Sequence, residues 1–246
     1  MPSSLSTTLA TWAAGLRLDD LPGDILALTR QRILDIIGVA LTSVGTAFGN
    51  SVQDGVSKLG AGTESTVLGY GARLPANLAA LANGALAHEF EFDDTHNETA
   101  IHVSSPVVAT ALAVGERCRA SGRDMLAAVA AGNEIVCRIG VVAPGPIRQA
   151  SSAPLGATVT ACRLMGLDAA ATANALGIAG SMTSGSMESW SDGALGQIPA
   201  SRLVRARRHC GIDARRGRRD GTGARARRPP RLLLSTCARC GLRVRL

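Results

Sequence analysis

Residues 77–116 read NLAALANGALAHEFEFDDTHNETAIHVSSPVVATALAVGE, and this stretch is central to both the fold and the candidate site. Two alanine-rich runs of helical character flank a polar insert. The insert holds three of the chain's four histidines and a group of carboxylates: His88, His96, His102, Glu89, Glu91, Asp93, Asp94 and Glu98. Each buried charge needs a partner, so a purely structural core would not concentrate them here. Such a cluster suits proton transfer or metal binding.

The flanking runs belong to a longer succession of helix-like segments separated by short Gly-, Pro- or Ser-containing loops. Apolar residues recur at helical spacing in residues 6–18, 25–44, 47–59, 75–90, 104–119, 125–140, 155–165 and 168–179. Residues 65–68 are short and β-like, and Ser121 and Asp168 suit helix N-caps. The pattern predicts an all-α, multi-helix, bundle-like domain of about eight or nine helices.

The composition limits the kind of core and the compartment. Apolar residues make up 46% of the 246 residues but aromatic residues only 2%, which favours closely packed helices with Ala, Leu, Ile and Val inside. The N-terminus lacks the basic segment of a signal peptide, and no apolar run has the length of a membrane span. Cys118, Cys137 and Cys162 stand singly, as reduced thiols do. These features predict a cytoplasmic protein without a membrane partner.

The net charge of +7 comes from two dissimilar parts of the chain. Residues 1–200 hold 11 Lys plus Arg against 17 Asp plus Glu, a formal charge of −6. Residues 201–246 hold 15 Arg against Asp213 and Asp220, a formal charge of +13. We therefore divide the chain into a helical domain, residues 1–197, and an irregular Arg-rich tail, residues 198–246.

Three interpretations of the tail remain open. A basic arm could bind nucleic acid, but this one lacks the Lys and aromatic residues that such arms use. A zinc site could be built from His209, Cys210, Cys237 and Cys240, although adjacent His and Cys are poor ligand geometry. An out-of-frame translation of a GC-rich gene also produces abundant Arg, Ala, Gly and Pro, and we favour this interpretation.

Several blocks of the chain resemble the 2-methylcitrate dehydratase family (MmgE/PrpD). These are LANGALAHEFEFDDTH from Leu81, IHVSSPVVATALAVGE from Ile101, GATVTACRLMGLDAAATANALGIAGS from Gly156, and SDGA from Ser191. They occur in the family's order and spacing over roughly residues 5–197. The resemblance implies a large all-α domain followed by a smaller α/β domain, a site in the cleft between them, and a homodimer. It also implies acid–base chemistry without a metal or other cofactor.

The resemblance implies three catalytic residues, His102, Asp93 and Glu91. His102 matches the family's active-site histidine, and an imidazole that titrates near neutral pH can transfer a proton in either direction. Glu91 matches a position where the family usually has Asp. Asp93 has an equally good structural interpretation, because it could satisfy backbone amides in a turn.

The resemblance also implies substrate-binding roles for Thr95, Asp94 and His96. The hydroxyl of Thr95 could hydrogen-bond a substrate carboxylate, and Asp94 completes the acidic turn. Asp94 also has the turn-capping alternative, and His96 could simply be solvated. His88 lies on an apolar helix, and we interpret it as a structural histidine.

Other positions depart from the family pattern. Ile147 or Arg148 stands where a second histidine is expected, Gln197 stands near an expected Lys, and the only Lys of the chain is Lys58. The resemblance ends near Gln197, so we expect a truncated or frameshifted product without the second domain, with little or no activity.

The family resemblance predicts a hydro-lyase that acts on a small hydroxy-tricarboxylate such as 2-methylcitrate. Decarboxylation of cis-aconitate and epimerisation of a dicarboxylate are alternatives within the family. A non-enzymatic, basic-tailed nucleic-acid-binding protein is the alternative from another class, and we consider a nucleic-acid partner the weaker prediction.

Overall fold

A computed structural model of the chain describes residues 4–143 and 148–183. The proposed tail, residues 198–246, lies outside these ranges. The described helices are α1 (Leu5–Gly15), α2 (Gly23–Thr42), α3 (Ala47–Leu59), α4 (Ala76–His88), α5 (Ser104–Cys118), α6 (Gly122–Val142), α7 (Arg148–Leu164) and α8 (Ala169–Met182). A 3-10 turn, Leu18–Asp20, follows α1. The prediction of an all-α domain is confirmed.

Two antiparallel two-stranded ribbons interrupt the helices. The strands are β1 (Ser65–Thr66), β2 (Arg73–Leu74), β3 (Thr95–His96) and β4 (Ile101–His102), with β1 paired to β2 and β3 paired to β4. The β-like segment predicted at residues 65–68 corresponds to β1. The ribbon β3–β4 forms within the polar insert, where the sequence pattern indicated no strand.

Side-chain caps begin several helices, because the first amides of a helix have no partner within it. Ser121 and Asp168 cap α6 and α8 as predicted, and each accepts a hydrogen bond from the amide three residues later. Helix α5 begins at Ser104, as predicted, and Val103 before it makes no side-chain cap hydrogen bond. The start of α7 differs from the prediction, because the helix begins at Arg148 and continues through Pro154.

The core consists of two clusters of small aliphatic side chains. One cluster lies among α2, α3, α4 and α5 and one side of α6, and the other lies among α1, α6, α7 and α8. Helix α6 joins them, with Val129 and Val136 in the first cluster and Ala131 and Ile135 in the second. The buried hydrophobic residues in the described ranges are Ala, Leu, Ile and Val together with Cys137 and Cys162, which agrees with the prediction of Ala, Leu, Ile and Val inside.

The expectation that no apolar run has the length of a membrane span does not hold for α6, the single described helix that is long and apolar enough to cross a membrane by itself. Half of its most apolar stretch is buried inside the domain, and 11 of its 21 residues are buried. We therefore describe α6 as a core helix of the domain.

Arg163 on α7 forms hydrogen bonds that hold α1 against the rest of the domain. Its guanidinium donates to the carbonyl oxygens of Ala13 and Leu16, with Nη2 2.7 Å from the Leu16 oxygen. Both acceptors lie at the C-terminal end of α1, where carbonyl groups lack helical partners and a positive charge is favourable.

We expect Arg163→Met to lower the free energy of unfolding by about 2 kcal/mol, because methionine keeps an apolar stem but loses the hydrogen bonds from a charged donor. For a domain of this size that corresponds to a fall in Tm of roughly 4–8 °C. Thermal unfolding measures it. Arg123→Met is the matched control, because Arg123 is exposed and forms only a surface ion pair with Asp19. Equal Tm values for the two variants would contradict the role of Arg163.

Candidate active site

The polar insert is folded into a turn and the ribbon β3–β4 between α4 and α5. In the ribbon, Thr95 faces His102 and His96 faces Ile101. The amides of Thr99 and Ala100 donate to the carbonyl oxygen of His96, at 3.2 and 2.8 Å, and close the turn between the strands. This fold brings β4, which carries His102, next to the end of α4.

Asp93 is the centre of the site. Its side chain is fully buried. Its Oδ1 lies 3.1 Å from Nδ1 of His88 and 3.0 Å from Nδ1 of His102. Its Oδ2 accepts a hydrogen bond from the hydroxyl of Ser105 in the first turn of α5. One carboxylate therefore holds three polar side chains from three parts of the chain.

The two imidazoles that Asp93 holds also contact each other. The ring centroids of His88 and His102 are 4.6 Å apart, and the planes meet edge to face at 72°. The side chain of His102 is 15% exposed and that of His88 29% exposed, so both rings keep a limited opening to solvent. In this position Asp93 orients the imidazoles and does not itself reach the surface.

The charges in this cluster support one another. Burial alone would raise the pKa of Asp93, but hydrogen bonds from His102, His88 and Ser105 outweigh burial and hold that pKa far below 3.8. Burial alone would lower the pKa of His102, but the hydrogen bond and charge of Asp93, helped by the charge of Glu91, raise it above 6.5. An ionised carboxylate thus stabilises a protonated imidazole beside it.

Asp94 points to a different set of partners. Its Oδ1 accepts from the amide of Ser104 at 2.8 Å and its Oδ2 from the Ser104 hydroxyl at 2.7 Å. The Nε atom of Arg32 on α2 lies 3.4 Å from Oδ2. A carboxylate at the first amide of α5 satisfies that amide and is favourable at the positive end of the helix. The structure thus gives Asp94 the capping contact that the sequence left open as an alternative to substrate binding.

A cavity of about 590 Å³ lies between α2 and the ribbon. It is lined by Leu28, Gln31, Arg32, Leu34, Asp35, Asp94, Thr95, His96, Val103 and Cys137. The three predicted substrate-binding residues, Thr95, Asp94 and His96, all line this cavity. His102 is not among the lining residues, although Val103 next to it is. The Nδ1 atom of His96 is 2.8 Å from the hydroxyl oxygen of Thr99.

Glu91, the third predicted catalytic residue, has an unusual backbone. Its φ of 51° lies in the left-handed region, which non-glycine residues seldom occupy and which is enriched at functional sites. Its amide donates to the carbonyl oxygen of His88 at 3.1 Å and closes the turn after α4. This reversal brings Asp93 back against His88. Glu91 is half-buried and influences His102 through its charge.

Sequence reasoning did not anticipate the contact of His88 with Asp93. His88 stands on the apolar helix α4, and its interpretation as a structural histidine stays a prediction. His88 and Asp93 are five residues apart, whereas residues on one face of a helix are three or four apart. The turn at Glu91 therefore explains the contact between the two side chains. A usable signal was the density of histidines around the Asp-Asp pair.

The donor atoms of His88, Asp93 and His102 lie within 4.8 Å of one another, which is close enough to hold a metal ion. Hydrogen bonds between one carboxylate and two imidazoles explain the same spacing without an ion. The absence of a metal or cofactor therefore stays a prediction. The candidate zinc residues, Ile147 and Gln197 lie outside the described residues, as does the side chain of Arg148.

Comparison with known proteins places the chain in a family. Residues 7–202 match the MmgE/PrpD N-terminal domain. The chain is 29% identical to the cis-aconitate decarboxylase of Aspergillus terreus over 198 residues, which cover 75% of this chain and 40% of that protein. It is 32% identical over 144 residues to the cis-aconitate decarboxylase of Mus musculus, covering 56% of this chain and 29% of that protein.

The human cis-aconitate decarboxylase is 28% identical over 195 residues, which cover 73% of this chain and 40% of that protein. This chain therefore spans about 40% of the length of the Aspergillus terreus and human relatives. The family match covers most of the chain and includes the whole site around Asp93. The chain belongs to the MmgE/PrpD family.

Proposed function

We propose that the site around His102 serves a lyase that acts on a small, multiply charged carboxylate by acid–base catalysis. The contact that carries the proposal is the 3.0 Å approach of His102 Nδ1 to the buried carboxylate of Asp93. This pairing keeps His102 protonated at a higher pH than a free imidazole, which suits a general acid near neutral pH.

We favour decarboxylation of a cis-aconitate-like tricarboxylate. Decarboxylation breaks a carbon–carbon bond, releases CO₂ and leaves an electron pair that a proton must neutralise. The imidazolium of His102 can supply this proton and become neutral, and solvent then restores it. The relatives named as cis-aconitate decarboxylases favour this reaction over dehydration of 2-methylcitrate, which remains the second candidate.

The cavity between α2 and the ribbon is our candidate for a substrate pocket. Thr95 and Gln31 offer neutral hydrogen-bond groups there, and Arg32 offers a guanidinium that suits a carboxylate. The chain spans less than half of its relatives' length, so we further propose that a second domain contributes to binding in the full-length relatives. A homodimer and a cytoplasmic location are also proposals.

His102→Gln is expected to lower the rate of product formation by about 10²-fold or more, because it removes the group that transfers the proton. The purified chain is incubated separately with cis-aconitate and with 2-methylcitrate, and proton NMR follows the products. We expect a five-carbon unsaturated dicarboxylate from cis-aconitate. Slow turnover is sufficient, since the ratio between variant and wild type is what is measured.

Arg123→Gln is the control, because this exposed side chain lies outside the site. If a product forms only from 2-methylcitrate and not from cis-aconitate, the proposed reaction is dehydration and not decarboxylation. Turnover that His102→Gln leaves unchanged would overturn the proposed role of His102.

A further inference from the structure

The contacts of Asp93 fix which nitrogen of each neighbouring histidine carries a proton. Asp93 is ionised at neutral pH and can only accept hydrogen bonds. Nδ1 of His88 lies 3.1 and 3.2 Å from its two oxygens, and Nδ1 of His102 lies 3.0 Å from Oδ1. The negative charge that faces both Nδ1 atoms favours a proton on each of them. On this basis the neutral state of each ring is the Nδ1–H tautomer, with Nε2 as its basic nitrogen.

We propose that His88 and His102 form a proton-sharing pair bridged by Asp93, with His88 as the second acid–base residue of the site. The proposal deepens the proposed function and rests on it for the catalytic step. The ring centroids are only 4.6 Å apart, so two positive charges would repel each other strongly over one carboxylate. The geometry therefore disfavours a state in which both rings are positively charged.

A pair with one proton offers an acid and a base together. In a decarboxylation, the protonated ring gives its Nε2 proton to the carbon that loses CO₂. In a dehydration, the neutral ring takes a carbon-bound proton while the protonated ring gives one to the leaving hydroxyl, which departs as water. In either reaction, the protons that are given and taken are exchanged among the two histidines and solvent. The sequence does not place a second histidine at the position the family resemblance predicts, and His88 supplies one from α4.

Other charged groups near the pair have partners of their own or act more weakly. Glu91 acts on His102 through its charge alone. Glu89, next to His88, is 2.9 Å from the hydroxyl oxygen of Thr46 at the start of α3. Asp94 is paired with Arg32 of α2, and the exposed Asp35 of α2 interacts with Asp93 through its charge. On the remaining packed elements with described side chains, Glu134 pairs with Arg138 on α6 and Arg163 of α7 binds α1. Asp93 is thus the carboxylate that both imidazoles share.

The test uses the full chain labelled with ¹⁵N and long-range proton–nitrogen NMR of the imidazoles. At pH 9 we expect His88 and His102 both to show the Nδ1–H tautomer, with single His→Gln variants assigning the signals. His88→Phe keeps an aromatic ring but removes the Nδ1 donor, so the whole of Asp93 becomes available to His102. We expect the pKa of His102 to rise by about one unit in this variant.

The outcomes distinguish a proton-sharing pair from a purely structural role of His88. An Nε2–H tautomer in either histidine, or a His102 pKa that His88→Phe leaves within roughly 0.2 units of wild type, would overturn the pair. If His88→Phe does not fold, His88→Gln serves for the same titration, with a smaller rise because its amide can still donate. These measurements need no turnover. If the wild-type chain turns over neither substrate but the NMR results are as expected, the proposed function is rejected and the proton-sharing pair is still supported.

Discussion

Asp93→Asn is expected to reverse the direction of the pKa shift of His102, from above 6.5 to below it. Burial by itself lowers this pKa, and the hydrogen bond and charge of Asp93 are the main reasons that it is raised. An asparagine has no charge, and its NH₂ group would confront one of three donors, His88, His102 or Ser105. The NMR titration of His102 in wild type and variant measures the change.

The same substitution is expected to lower the free energy of unfolding by about 3–5 kcal/mol, because it removes one partner of a buried ionic network. The loss depends on pH with a definite sign. The raised pKa of His102 contributes stability that is complete below 6.5 and disappears as the pH rises through the folded-state value. The lowered pKa of Asp93 contributes stability that is complete above 3.8 and disappears as the pH falls towards the folded-state value.

Both contributions are therefore complete between about pH 4 and 6.5. Urea unfolding at pH 5.5 should show the full difference between wild type and Asp93→Asn, and at pH 9 a smaller one. Asp19→Asn is the matched control, because it removes an exposed carboxylate from a surface ion pair that is worth at most about 1 kcal/mol. An equal loss at both pH values, or an unchanged His102 titration, would contradict the assignment of Asp93.

The helices could be predicted from sequence because their signals are local. Helix α3 matches its predicted limits, residues 47–59, and the caps at Ser121 and Asp168 are where hydroxyl and carboxylate side chains suit them. Helix α7 departs from its prediction because Pro154 usually marks a helix boundary. Here the helix packs closely against α5 and α6, and this packing outweighs the local penalty of the proline.

The site was only partly predictable because its contacts are not local. Sequence indicated that Asp93 and His102 belong together with Glu91, but it could not show that Asp93 also reaches back to His88. That contact depends on a non-glycine residue, Glu91, in a left-handed conformation. The sequence also could not show that the two neighbouring aspartates have different contacts. Asp93 contacts the imidazoles, whereas Asp94 accepts a hydrogen bond from the first amide of α5.

The crossing of α6 and α7 gives the other large expected effect. Gly132 and Gly156 face each other there, and the helices approach so closely that neither position has room for a methyl group. A Cβ at Gly132 would overlap the hydroxyl oxygen of Thr160 and lie 3.0 Å from the carbonyl oxygen of Gly156. A Cβ at Gly156 would overlap a methyl group of Val136 and lie 2.8 Å from the carbonyl oxygen of Gly132.

We expect Gly132→Ala and Gly156→Ala each to lower the free energy of unfolding by about 3 kcal/mol, because the backbones must separate and the core on both sides of α6 must repack. Urea or thermal unfolding measures the loss. The matched control is Gly177→Ala in α8, where a new Cβ meets no atom within 4 Å. Alanine is the better helix former by about 1 kcal/mol, so this control should be neutral or stabilising.

The sign difference among three identical substitutions distinguishes close packing from helix propensity. Propensity alone predicts that all three alanine variants gain stability, since all three glycines lie inside helices. Close contact predicts a loss at Gly132 and Gly156 only. Because α6 also presents Asn133, whose amide lies 3.2 Å from the Ser104 hydroxyl, a displaced α6 should disturb the start of α5. We therefore expect Gly132→Ala, unlike Gly177→Ala, to change the NMR titration of His102 as well.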